Sequence, residues 1–74
     1  MKRIWHYIND SEFPSYSCDC LCRIKLTDTE FIFITLHYFK EQNEWCSVET
    51  GDLVNTDCIE SWSDLNDVLE RVLF

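Results

Sequence analysis

The feature that most constrains this chain is a pair of strand patterns separated by four turn-forming residues. Residues 17–26, SCDCLCRIKL, alternate with a period of two, which is typical of a β-strand. Residues 27–30, TDTE, favour a turn, and residues 31–39, FIFITLHYF, form an apolar run typical of a central strand covered on both sides. The alternation places these residues on one face: Cys18, Cys20, Cys22, Ile24, Leu26. The stretch therefore predicts an antiparallel hairpin.

Shorter patterns flank this hairpin. Aromatic and β-branched residues at 3–8 predict a first strand, and residues 9–15 predict a loop around Pro14. After the hairpin, residues 40–44 predict a turn, 45–49 a third strand of a meander, and 50–57 a loop that carries the one glycine.

The C-terminus has helical periodicity. Apolar residues recur at the spacing of a single helix face: Leu65, Val68, Leu69, Val72, Leu73. Ser63 is a candidate N-cap, and Ser61 competes because Ser61-x-x-Asp64 resembles a capping box. We therefore predict an α+β fold in one domain over residues 1–74. Its sheet is a small antiparallel meander of three to four strands, packed by one C-terminal α-helix.

The composition and the opening residues indicate the cellular compartment in which the protein is expected. The chain is 46% hydrophobic, but no apolar run approaches the ~20 residues of a membrane span. The opening MKRIWHYIND lacks the apolar core of a signal peptide. We therefore expect a cytoplasmic protein in which thiols stay reduced, and five cysteines are an odd number for a paired disulfide framework.

The net charge of −8 is unevenly distributed. Acids and bases balance over residues 1–40, whereas residues 41–70 contain nine acids and no Lys or Arg. Such a surface repels nucleic acid directly, because binding DNA or RNA requires cations that replace counterions. It can attract a basic surface on another protein, or it can simply keep a small protein soluble.

The cysteines allow two interpretations. Neighbouring cysteines on one face of a regular strand lie roughly 6.5–7 Å apart, too far to share a tetrahedral zinc ion comfortably. If Leu26 pairs with Phe31, Cys20 lies opposite His37, a contact that could activate a thiolate. The sequence favours buried thiols. The alternative is a metal or redox site built from Cys18, Cys20 and Cys22 with His37, Cys46 or Cys58.

No pattern indicates catalysis. The sequence contains no phosphate loop, no Ser–His–Asp order and no metal-binding helix, and its carboxylates are spread along the chain. We therefore expect no enzymatic activity and no cofactor.

Several aromatic positions carry a family resemblance. The chain resembles short phage and prophage proteins of unknown function that share a leading Trp, a Tyr followed by a Trp, and a closing Val/Ile-x-x-Trp. The positions that carry the resemblance are Trp5, Ile8, Pro14, Tyr38, Trp45, Ile59, Trp62, Leu65. The chain departs from that family in its TDTE turn, where the family has a Gly turn, and in its C-terminal helix, where the family has a Pro-rich tail. The resemblance implies a phage origin. By class, small acidic phage proteins are similar to anti-CRISPR inhibitors, which occupy basic nucleic-acid channels.

The leading hypothesis is thus a non-catalytic binding protein that docks on a basic site of a host nucleic-acid enzyme. Its expected contacts are six acids and an aromatic anchor: Glu41, Glu44, Glu49, Asp52, Asp57, Glu60, with Trp45. The alternatives are a cysteine-dependent zinc-binding or redox protein, and a structural homodimer. The dimer would use a sheet face that one helix leaves uncovered: Leu21, Ile32, Ile34, Leu36, Tyr38.

Overall fold

The computed structural model describes residues 4–73, with side chains described through residue 70. Its elements, in chain order, are as follows: β1 (His6–Tyr7), a 3₁₀ turn (Ile8–Asp10), β2 (Cys18–Lys25), β3 (Phe31–Phe39), β4 (Glu44–Ser47), β5 (Leu53–Val54), a 3₁₀ turn (Thr56–Cys58), β6 (Ile59–Asp64), α1 (Leu65–Leu73). The six strands form one antiparallel sheet in the order β1-β6-β2-β3-β4-β5. Within residues 4–73, no helix is long and apolar enough to cross a membrane.

The α+β prediction is confirmed, but the prediction of three to four strands is wrong. Two strands lie where no strand was expected. β5 lies within the segment 50–57 that was predicted to be a loop, and β6 lies just before the helix. β6 inserts between β1 and β2, so the sheet is not a simple meander.

The sheet is rolled rather than flat. β5 and β6 are separated by three strands, which in a flat sheet would place them about 19 Å apart. The chain from Val54 to Ile59 has only five residue steps and can span at most about 18 Å when extended. Three of its residues form a 3₁₀ turn, which shortens the reach further. The connection can therefore close only if the sheet curls.

The inside of this roll is the hydrophobic core. Trp45 on β4 and Trp62 on β6 lie on opposite sides of the β2–β3 pair, yet their ring centroids are 6.4 Å apart. In a flat sheet, the two strands that carry these residues would lie about 14 Å apart. The buried hydrophobic residues are Cys20, Cys22, Ile24, Leu36, Tyr38, Trp45, Ile59, Trp62.

A β-bulge turns β6 toward this core. Ile59 pairs with Ile24, and Ser61 pairs with Arg23, so Glu60 is the extra residue. Beyond the bulge, Trp62 lies opposite Cys22 and Asp64 opposite Cys20. Trp62 and Asp64 consequently share the inner face with Ile59, although their spacing from it is odd.

The hairpin register differs from the expectation by one residue. Lys25, not Leu26, pairs with Phe31, because Leu26 already belongs to the turn and donates its N–H to the carbonyl of Glu30 at 2.9 Å. Cys20 therefore lies opposite Leu36 rather than His37. The expectation that β3 is covered on both faces is also wrong for its first half, where Phe33 is 58% exposed.

The helix is confirmed, but its predicted cap is not. Asp64, rather than Ser61 or Ser63, precedes the first helical residue, and its Oδ1 accepts a hydrogen bond from the Asn66 N–H at 2.9 Å. Ser61 and Ser63 are buried within β6. A carboxylate at this position is a common helix cap.

If the Trp45–Trp62 contact closes the roll, Trp45→Ala should lower the free energy of unfolding by about 3–5 kcal/mol. That loss is a large part of the stability of a domain this small. Phe33→Ala is the matched control, because Phe33 is an exposed aromatic residue whose loss should cost about 1 kcal/mol or less. Urea denaturation measures both changes, and equal costs would contradict the assignment of Trp45 to the core.

Candidate functional site

The six predicted contact acids occur in pairs in three separate segments of the chain. Glu41 and Glu44 lie where β3 passes into β4, and both are exposed. Glu49 and Asp52 lie in the turn at the other end of β4. The remaining two acids, Asp57 and Glu60, lie where β6 begins, at the end of the sheet that carries the β2–β3 hairpin.

Trp45 is not a surface anchor. It is 1% exposed, and its ring lies 4.6 Å from that of Tyr38, measured between centroids. The expectation that Trp45 contacts a partner among the acids is therefore wrong, because β4 directs this side chain into the roll.

The residues expected to form a dimer face do not share one exposed face. Leu36 and Tyr38 are 0% and 1% exposed, because they belong to the core. Leu21 pairs with Thr35 and Ser63, so it lies on the opposite face from Leu36. Ile32 is exposed and Ile34 is half-buried against the core. The grouping is wrong because the shifted register turns the β3 face that carries Leu36 and Tyr38 toward the core. Homodimerisation itself stays a prediction.

Three of the cysteines, Cys18, Cys20 and Cys22, lie within or beside the core, whereas Cys58 is exposed. All five are free, and Cys20 and Cys22 are fully buried. Burial raises the pKa of the Cys20 thiol and raises that of Cys22 to about 12. The Sγ atoms of Cys18 and Cys20 are 3.6 Å apart, much closer than the spacing expected for a regular strand.

His37 lies opposite Cys46 in the β3–β4 pair but does not join Cys18, Cys20 and Cys22. It pairs with Asp19 on the outer face, with the imidazole Nδ1 2.7 Å from a carboxylate oxygen. Among the described residues, no group of three or more His, Cys, Asp or Glu side chains is arranged to hold a metal ion. The alternative site of Cys18, Cys20, Cys22 and His37 is thus not brought together, because the two sets lie on opposite faces.

A cleft that the sequence did not indicate lies at the Asp64 end of β6. We call it the acidic cleft; its volume is about 520 Å³, and its principal walls are Glu12, Phe13, Tyr16, Trp62, Asp64, Asp67. His6 and Cys18 also line it. The available sequence signal was the presence of Phe13 and Tyr16 in a loop otherwise rich in turn formers. Two aromatic residues in a loop do not by themselves locate a cleft.

Contacts from the β6 side hold the cleft loop in place. The Trp62 Nε1–H donates to the Glu12 carbonyl at 2.8 Å, and the Tyr16 hydroxyl donates to Asp64. His6 Nδ1 lies 3.2 Å from a Glu12 carboxylate oxygen. The hydrogen bond to Asp64 is the main cause that raises the pKa of Tyr16 to about 12. The cleft wall is therefore preorganised by contacts distant in sequence.

A second concavity lies on the outer face of the sheet. We call it the aromatic groove; it is about 480 Å³ in volume, and its lining residues are Trp5, Tyr7, Arg23, Phe31, Phe33, Ser61. The Arg23 guanidinium lies 3.8 Å from the Phe31 ring centroid and 2.7 Å from a Glu60 carboxylate oxygen. The bulge at Glu60 thus places an ion pair at the edge of exposed aromatic rings. The correct hairpin register would have predicted Phe31 and Phe33 on one exposed face.

Comparisons of the chain with protein-family models, curated proteins and solved structures returned no match.

The buried thiols predict alkaline instability. Because folding raises the pKa of Cys22, this thiol stays protonated in the folded chain while the unfolded chain already ionises. Its contribution is fully present below pH 9 and is lost as the pH rises toward about 12. The urea midpoint should therefore fall over this range, and it should fall less in Cys22→Ala. Cys58→Ala, which removes an exposed thiol, should keep the wild-type slope. The same slope in all three proteins would contradict the effect.

Proposed function

We propose that this protein is a non-catalytic binding protein that docks by charge on a basic surface of a nucleic-acid enzyme. The observation that carries the proposal is the distribution of surface charge. Six of the nine acids in residues 41–70 are exposed: Glu41, Glu44, Glu49, Asp52, Asp57, Glu70. That segment contains no Lys or Arg. The charged side chains that this segment exposes are therefore all negative.

Two described cations outside this segment are paired within the chain, whereas Lys40, next to Glu41, is exposed. Arg23 is paired with Glu60, and Lys25 lies 3.5 Å from Asp28. Both cations are thus partly neutralised within the chain. A negative surface of this kind accelerates association with a basic partner and disfavours direct contact with nucleic acid.

The aromatic groove supplies the apolar contact that Trp45 cannot make. Tyr7 and Phe33 are 42% and 58% exposed, and aromatic side chains are common anchors at interfaces. Glu60 borders the groove through its pair with Arg23. An apolar anchor beside charged residues is a favourable composition for a protein interface.

The expected partner class follows from the resemblance to phage proteins and from the analogy with anti-CRISPR inhibitors. A nuclease or other nucleic-acid enzyme presents a basic channel that an acidic protein can occupy. Purified protein used as bait in a lysate of the host bacterium, followed by mass spectrometry, identifies the partner. Sedimentation of the free protein at several concentrations shows whether the groove is instead covered by a second copy.

With the partner in hand, charge reversal tests the proposal. Changing Glu41, Glu44, Glu49 and Asp52 to Lys should slow association strongly, because these exposed charges act through long-range attraction screened over roughly 8 Å at physiological ionic strength. The fold should persist, since exposed substitutions usually cost under about 0.5 kcal/mol each. Surface plasmon resonance at two salt concentrations gives both rate constants.

Phe33→Ala is the contrasting variant in the same measurement. It should speed dissociation while leaving the association rate and its salt dependence near wild type. Docking by charge would be contradicted if neither added salt nor the four Lys substitutions changed the affinity for the partner.

A further inference from the structure

The acidic cleft combines two features that recognise cations. Three carboxylates and three aromatic rings line it, and among the described residues no Lys or Arg does. Aromatic ring faces attract ammonium and guanidinium groups, and carboxylates bind them by charge-assisted hydrogen bonds. A concave site concentrates this negative potential more than a flat surface does. The composition therefore selects a positively charged ligand.

Asp64 is the fixed element of this site. It is 8% exposed, a degree of burial that is unusual for a carboxylate. One oxygen accepts from the Asn66 N–H and the other from the Tyr16 hydroxyl. A carboxylate has about four acceptor positions, so two such bonds orient the group without exhausting it. Its position opposite Cys20 at the end of β6 directs it to the concave side of the sheet.

The walls around Asp64 are also held in place. Phe13 is 38% exposed and Tyr16 is 53% exposed, so both rings are accessible from solvent. The loop that carries them is tied to Trp62 through the Glu12 carbonyl and contains the buried Pro14. Preorganised walls reduce the entropy lost when a ligand is immobilised.

We infer that the acidic cleft is the insertion site for an arginine side chain of the basic partner. A planar guanidinium can stack on an aromatic wall while its N–H groups reach carboxylate oxygens, which an ammonium cannot do in the same way. The volume of about 520 Å³ accommodates such a side chain together with water. The inference rests on the proposed function, since it names the side chain through which the basic partner is held.

The test uses short peptides as probes. The pentapeptide acetyl-Gly-Gly-Arg-Gly-Gly-amide is titrated into the full ¹⁵N-labelled protein. The reporter is the Trp62 indole N–H, which donates to Glu12 in the cleft wall. The Arg peptide should shift this resonance saturably. The citrulline peptide, a neutral analogue of the same shape, should bind at least about tenfold more weakly.

Paired variants separate the cleft from general electrostatics. Asp67→Asn removes a charge at the cleft, and Asp52→Asn removes one from the exposed β4–β5 turn. Asp67→Asn should weaken the Arg peptide several-fold and Asp52→Asn should not, with circular dichroism checking that both remain folded. Phe13→Ala tests the aromatic wall in a residue outside every strand and helix, and it should also weaken binding.

Three results would overturn the inference: equal binding of the citrulline peptide, equal effects of Asp67→Asn and Asp52→Asn, or an unshifted Trp62 resonance. These failures are distinct from failure of the proposed function. If the Arg peptide ignores the cleft but the four-Lys variant still slows association with the captured partner, docking by charge stands without this site. If the peptide binds the cleft but salt does not change the affinity of the captured partner, the arginine site is supported and docking by charge is contradicted.

Discussion

The structure depends on the contact between Trp45 and Trp62 across the inside of the sheet. These residues lie on strands that flank the β2–β3 pair, and their rings can meet only because the sheet rolls. The same core cluster contains Cys20 and Cys22, which are small and fully buried. They pack there in the manner of small hydrophobic residues.

The same geometry places the candidate sites. Because Trp45 points inward, exposed aromatic surface is left mainly to the outer face, where Phe33 and Tyr7 line a groove. The bulge at Glu60 serves both sides of the sheet. It brings a carboxylate to Arg23 on the outer face and returns Trp62 to the inner face. If Glu60 were instead paired with Arg23 in a regular ladder, Ser63 rather than Asp64 would lie opposite Cys20, and the cleft would lose its buried carboxylate.

The sequence predicted the elements whose signals are local. The strand 31–39 was predicted with its observed bounds, and the C-terminal stripe predicted a helix. β6 was missed because the bulge breaks its period of two: Ile59 and Trp62 are three residues apart, a spacing that suggests a helix. The hairpin register was wrong by one residue because Leu26, although apolar, belongs to the turn. A one-residue slip exchanges the two faces of a strand, so this error also misplaced His37 and the proposed dimer face.

Local sequence patterns indicated the candidate sites less well than the strands and the helix, because the sites depend on tertiary contacts. The composition of residues 41–70 showed that this segment is acidic. Where its acids lie on the surface depends on the strand order, which the composition does not give. The acidic cleft arises from contacts such as Tyr16 with Asp64, which are 48 residues apart. No periodicity in one sequence encodes such a pairing, because it is decided by how the sheet rolls and where the bulge falls.

The most direct test of this account is a nuclear Overhauser spectrum of the folded protein in solution. With ring centroids 6.4 Å apart and tilted by 52°, the indole protons of Trp45 and Trp62 should give direct cross-peaks. In a flat sheet about 14 Å would separate the two strands, and indoles standing perpendicular to the sheet would give no such cross-peaks. Their absence in a spectrum that does show the adjacent Tyr38–Trp45 pair would contradict the rolled sheet on which the core and the acidic cleft both depend.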